Sequence, residues 1–167
     1  MSVIDTLVFD RTSEDLARWA YLHQKGYAAM TAEERIEWDS AALRGSYNAG
    51  DLNRVGSAIV YLRDRLRNYG YSVNVTPKTD WAITDAPTAA QLQKYLADVS
   101  TIRGAVGELS SLPEVPTRIY PSATGKSDGM TVEKANDIER MLSQLDSAIT
   151  KMLSSWWGCG EIGCGEM

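Results

Sequence analysis

The sequence predicts an all-α fold, about five helices in a compact bundle, with a short extended segment near residues 71–76 and extended N- and C-terminal arms. Three observations predict it. Apolar residues recur at steps of three and four along five stretches, which gathers them on one face of a 3.6-residue helix. Threonine or serine stands just ahead of four of those stretches, where a side-chain oxygen can satisfy the open amides of a helix start. Only one stretch alternates apolar and polar residues, and one short strand makes no sheet.

In chain order, residues 1–10 form an apolar lead-in with Val3, Ile4, Leu7, Val8 and Phe9, expected to act as an arm or docking strand. Thr12 or Ser13 then caps a first helix, with Glu14 and Asp15 in its positive first turn and Leu16, Trp19, Ala20 and Leu22 on its apolar face. Gly26 suits the left-handed residue that closes it. Thr31 and Glu34 have capping-box spacing for a second helix, whose Ile36 and Leu43 are expected inward and Trp38 on the rim.

The third helix follows Gly45-Ser46-Tyr47-Asn48 and carries Leu52, Val55, Ile59, Leu62, Leu66 and Tyr69 as one stripe, stopped by Gly70. Residues 71–76 alternate up to Pro77 and read as extended. Thr88 and Gln91 repeat the capping box ahead of Leu92, Leu96, Val99, Ile102 and Val106. Prolines and glycines interrupt residues 110–130, leaving either a surface wrap or a binding loop. Thr131 opens a fifth helix with Val132, Ala135, Ile138, Leu142, Leu145, Ile149, Met152 and Leu153 on one face, expected to end near Trp157-Gly158. The domain plan is thus an arm at 1–10, a helical domain at 11–157 and a glycine-rich tail at 158–167. The blocks Asp51-Leu52-Asn53-Arg54-Val55 and Asn136-Asp137-Ile138-Glu139-Arg140-Met141 are loosely alike, without the fixed period of a repeat array, and read as shared helix chemistry.

Composition narrows the function classes. A 167-residue chain with 44% hydrophobic residues can build one core, and a net charge of −5 opposes nucleic-acid binding, which needs a basic field. Arg63, Arg65 and Arg67 are interrupted by Asp64 and read as the solvated face of one helix. No run approaches the roughly 20 apolar residues of a membrane span, so no membrane insertion is expected. The start Met-Ser-Val-Ile-Asp lacks the pattern of a secretory signal, which makes assembly in a cytoplasm the expectation. Both cysteines, Cys159 and Cys164, lie in the tail, so packing rather than disulfides must hold the core.

Candidate chemistry is sparse. His23 is the only histidine and has no identifiable orienting partner for catalysis, and with Cys159 and Cys164 it does not make a zinc spacing. Glu14-Asp15 and Glu33-Glu34 could suggest glycosidase carboxylates, but their place in first helical turns is explained by the helix dipole. Gly125-Lys126-Ser127 lacks the earlier glycine of a phosphate loop, since Tyr120 stands there. No catalytic residue, metal or cofactor is expected. The tail repeats Cys-Gly-Glu twice, five residues apart, and its glycines make it costly to order without a partner.

Several blocks resemble a known group. Asp10-Arg11-Thr12, Gly45-Ser46-Tyr47-Asn48, Asp51-Leu52-Asn53-Arg54-Val55, Lys78-Thr79-Asp80-Trp81, Pro87-Thr88, Tyr95-Leu96 and Glu133-Lys134-Ala135-Asn136-Asp137-Ile138-Glu139 occur in order over nearly the whole chain. Together with the Gly-Glu tail they resemble small tail-associated structural proteins of phages and prophages of Gram-positive gut bacteria. The family's tail carries serine-Gly-Glu near an aromatic, whereas cysteine stands at both positions here, which leaves open any polar role for them.

The resemblance implies a virion part at the tail tip, baseplate or fibre attachment, present in several symmetric copies and bound to other phage tail proteins. The expected partner-binding residues are Val3, Ile4, Leu7 and Phe9 in the arm and Trp156, Trp157, Cys159, Glu161, Ile162, Cys164 and Glu166 in the tail. Two alternatives stay open. One is a phage-carried cell-wall hydrolase using Glu14 or Glu33 as acid; the other is a soluble helical interaction module of the host with a groove lined by Trp19, Trp38 and Trp81.

Overall fold

The computed structural model describes residues 2–40, 43–107, 112–120 and 129–160, with residues 153–160 described by backbone only. Five α-helices form among them, α1 (Ser13–Lys25), α2 (Ala32–Asp39), α3 (Ala49–Asn68), α4 (Ala89–Ala105) and α5 (Val132–Gly160), and no strand. Local chemistry sets their starts. Thr12 with Asp15, Thr31 with Glu34, Asn48 with Asp51 and Thr88 with Gln91 each complete a reciprocal capping box, satisfying two open amides apiece. Gly26 and Gly70 follow α1 and α3 with φ of 74° and 86°, where a side chain would be strained.

The main core is built on α3, α4 and α5. Leu52, Val55, Ile59, Leu62 and Leu66 of α3 and Ile138, Leu142, Leu145 and Ile149 of α5 are buried as their spacing requires. Tyr69, expected on the same stripe, is 47% exposed, because it is already the C-cap of α3 and has turned away.

α3 and α5 run parallel: Arg54 reaches Glu139 near their starts, and Arg65 reaches Asp146 and Thr150 further along both. Parallel neighbours need long return connections, whereas antiparallel ones take short loops. Residues 71–81 are one such return. The Arg67 guanidinium donates to the Val73 carbonyl at 2.8 Å, Arg63 reaches the Val75 carbonyl, and Asn53 binds Trp81, so the segment travels back along α3 to its start. Val73 and Val75 alternate into the core, but they pack on a helix rather than pair as a strand. Gly56 permits this approach, since a Cβ there would lie 2.6 Å from the Lys78 carbonyl oxygen. Arg63, Arg65 and Arg67 therefore act as tethers, with Arg67 itself still exposed.

The proline-rich connection works the same way where it is described. Arg103 of α4 donates to the Pro113 carbonyl and Lys134 of α5 to that of Arg118, so the chain comes back to the start of α5 with Leu112 and Ile119 buried in the core.

The first ten residues differ from the extended arm expected of them. Ser2 and Asp5 close a capping box over a 3-10 turn, Val3–Thr6, which packs on α3 and α5. Leu7 is buried in the main core, Ile4 packs against it, Val3 is half-buried and Phe9 is 38% exposed. Below this turn lies a buried ionic network. The Glu139 carboxylate, fully buried, accepts from the Val8 amide at 2.6 Å, from Arg11 at 2.6 Å and from Arg54 at 2.8 Å through two nitrogens. Asp51 accepts from Arg11 at 2.8 Å, from the Asn48 amide at 2.8 Å and from Arg54. Asn136 clamps the Arg11 backbone on both sides, accepting from its amide and donating to its carbonyl. Two carboxylates thus face two guanidiniums with most lone pairs filled, the condition under which buried charge is tolerated.

α1 and α2 form a separate hairpin with its own small cluster, Leu22, Met30 and Leu43, flanked by Trp19 and Trp38. Ile36, expected inward, is 71% exposed: an eight-residue helix has one narrow inner face, and Trp38 takes it. Leu16 is 44% exposed for a similar reason, since Leu22 and Trp19 are the α1 residues turned to that cluster. The hairpin lies close on the loop before α3, where a Cβ on Gly45 would sit 2.0 Å from the Asp15 carbonyl oxygen.

A candidate protein-binding cleft lined by three tryptophans

Three tryptophans far apart in sequence converge where the hairpin meets the start of α3. Trp19 of α1, Trp38 of α2 and Trp81 at the end of the return segment line one open cleft of about 360 Å³, with Leu43 and Ala49 completing its apolar lining. Two devices hold the three rings. Trp81 is fixed from α3, because the Asn53 side-chain amide accepts from its backbone N–H at 2.7 Å and donates to its carbonyl at 2.9 Å. The Lys78 ammonium lies 4.4 Å over its ring, a favourable cation–π distance. Trp19 and Trp38 are held by the hairpin cluster, with the exposed His23 ring 5.1 Å from the first and 6.4 Å from the second.

The rim is unusual in one respect. Ile83 lines the cleft yet is 78% exposed, leaving a large apolar side chain in water beside a concave aromatic surface. Asp39 on the same rim accepts from the Tyr27 hydroxyl at 2.9 Å. Aromatic residues at an open apolar concavity are what protein-binding hot spots are made of.

A second open cleft of about 400 Å³ adjoins the first through Ser46 and lies where α1 and α5 begin, lined by Ser13, Thr131, Arg11, Arg44 and Glu133. Arg44 pairs with Asp10, and both side chains are substantially exposed. The Glu133 carboxyl is held below the usual range by its own backbone amide and by the Thr131 hydroxyl, so it occupies the start of α5 itself. Comparison with known protein families, curated proteins and solved structures finds no match to this chain.

Other candidates fall elsewhere. Glu14 and Glu33 are exposed in the first turns of α1 and α2, and neither lines the clefts described, whereas a glycosidase acid needs an apolar pocket. Among the described residues no group of three or more His, Cys, Asp or Glu is placed to hold a metal ion, and no helix is long and apolar enough to cross a membrane. Gly125-Lys126-Ser127, Glu161, Ile162, Cys164 and Glu166 lie outside the described residues, while Trp156, Trp157 and Cys159 fall on the last turns of α5, which continues to Gly160.

Sequence reasoning grouped Trp19, Trp38 and Trp81 but missed the buried network and its neighbour, the Tyr47 and Tyr95 hydroxyl pair. Burial pushes both phenols well above their ordinary range, with the Glu139 carboxylate adding to Tyr47 and the Tyr47 ring to Tyr95. For Arg54, burial opposes the charge and its bonds to Glu139 and Asp51 overcome it, raising its pKa. A signal did exist: the two alike blocks in α3 and α5 are the ones that supply Asp51 and Glu139, the two carboxylates of the network.

Proposed function

We propose that this chain is a non-enzymatic structural part that holds neighbouring proteins through its tryptophan-lined cleft, and that its setting is a phage tail, as a tail-tip, baseplate or fibre-attachment adaptor. The observation that supports a binding part is Ile83, exposed beside three converging tryptophans where the α1–α2 hairpin meets the start of α3. Isolated exposed isoleucines are ordinary, but one on the lip of an aromatic cleft adds apolar area that only a partner would remove from water. The phage setting rests on the sequence resemblance alone. A mass-spectrometric inventory of purified particles tests it: the chain should be present in stoichiometric amount with tail proteins. The Ile83→Asp variant should fold normally yet be depleted from particles. Its normal incorporation would remove the cleft from the reading, and absence of the wild-type chain from particles would leave the host interaction module, which the same cleft equally serves.

A further inference from the structure

Among the described residues, the main core takes none from 12–46, and the hairpin cluster of Leu22, Met30 and Leu43 takes none from the α3–α4–α5 block. The hairpin's own ion pairs, Arg18 with Glu37 and Lys25 with Glu34, are internal to it. The polar contacts that cross between the two parts, again among the described residues, are the exposed Arg44–Asp10 pair and a 3.4 Å bond from the Asn48 side-chain amide to the Ser46 hydroxyl. Two open clefts, of about 400 and 360 Å³, occupy the seam.

The chain crosses this seam twice, and each crossing passes from one part to the other between neighbouring residues. Arg11 belongs to the block: Asn136 clamps its backbone on both sides, and Asp51 and Glu139 hold its guanidinium. Thr12, the next residue, belongs to the hairpin as the cap of α1, in reciprocal bonds with Asp15. On the return, Gly45 lies so close on α1 that a Cβ would collide with the Asp15 carbonyl, and the Ser46 amide and hydroxyl both donate to the Leu43 carbonyl, at 3.2 and 3.0 Å. Tyr47, the next residue, belongs to the block, packed on the main core with its hydroxyl bonded to that of Tyr95. The Arg11 guanidinium lies 5.6 Å from the centre of the Tyr47 ring, so the two crossings stand side by side. Adjacent crossings between bodies that share no core have the form of a hinge, in which a few backbone torsions carry a rotation while each body keeps its packing.

We infer that the α1–α2 hairpin is a hinged jaw that swings as one body about Arg11–Thr12 and Ser46–Tyr47, and that its swing sets the width of both clefts. Trp19 and Trp38 ride on the jaw while Trp81 and Ile83 stay with the block; in the neighbouring cleft Leu16 and Arg44 move against Thr131 and Glu133. The Arg44–Asp10 pair is a clasp across the seam, and an exposed ion pair of this kind opens at little cost. The hinge goes beyond the proposed contact with a partner and holds whatever fills the clefts.

The test measures distances between pairs of nitroxide spin labels on the full chain, in a background where Cys159→Ser and Cys164→Ser remove the native thiols. All labelled positions are exposed. Gln24→Cys, at the end of α1 away from the hinge, with Gln93→Cys of α4 spans the seam; Gln24→Cys with Ile36→Cys lies within the hairpin, and Tyr69→Cys with Gln93→Cys within the block. Circular dichroism confirms that each labelled protein is folded. The seam pair should give a distance distribution about twofold or more wider than either internal pair. A seam distribution as narrow as the internal ones would overturn the hinge. So would a hairpin pair as broad as the seam pair, because the hairpin would then be unfolding instead of swinging as one body. Either failure leaves the tryptophan cleft as a partner site, which is decided separately by the incorporation of Ile83→Asp.

Discussion

The α3–α4–α5 block and the α1–α2 hairpin have helices begun by the same capping chemistry, yet they are held by different forces. The block buries a continuous apolar core and three charged side chains, Arg11, Asp51 and Glu139, tied to each other and to the half-buried Arg54. The hairpin buries three apolar residues and is otherwise laced from outside, by Arg18–Glu37 at 2.6 Å and Lys25–Glu34 at 2.7 Å. A small core with surface ion pairs lies at the low end of local stability, and the binding cleft is built on the seam between the two regions.

The largest effect should come from Glu139→Ala. It removes a partner from the buried Arg11 and half-buried Arg54 guanidiniums and strands the Val8 amide, and is expected to cost about 3–5 kcal/mol, read as a lowered midpoint of cooperative unfolding in urea. Equal loss on the surface change Glu37→Gln would break the distinction between the regions. Leu22→Ala should cost about 2–5 kcal/mol locally, with amide exchange accelerating in α1 and α2 while the slowest amides of α3 and α5 keep their rates. Uniform acceleration would show that hairpin and block unfold as one.

Gly56→Ala probes the return segment. Its Cβ would press on the Lys78 carbonyl, so a loss of about 1–3 kcal/mol is expected, with a change in Trp81 emission as the strand of chain lifts from α3. Acid should act on the hairpin. Hydrogen bonds from Lys25 hold Glu34, and those from Arg18 hold Glu37, below the ordinary value of 4.5. A depressed carboxyl stabilises the fold above its unfolded pKa and loses that contribution as pH falls through the folded one, so protection of α1 and α2 should decline below about pH 4.5 before that of α3. Alkali should act on the block: with Tyr47 and Tyr95 raised, the unfolded chain releases protons first, and global stability falls as pH rises above about 10. The smallest effect is that of Glu37→Gln itself, expected to leave the global urea midpoint unchanged.

The sequence by itself determined where helices start, because a capping box needs only residues three apart and forms the same way in any surroundings. It also determined the buried faces of α3 and α5, whose spacing admits one stripe. It did not determine that these helices run parallel, that residues 71–81 retrace α3, or that Ile36 points to water while Leu7 does not. Nor could it place Arg11 inside the protein, since a buried arginine differs from an exposed one only in what approaches from elsewhere: Asp51 is 40 residues away in the chain and Glu139 is 128. The tryptophan cleft shows both halves of the lesson. Its three rings were legible as large apolar groups without a shared helix face, but Trp81 joins Trp19 and Trp38 only because Gly56 lets the backbone pass and Asn53 catches it at the end.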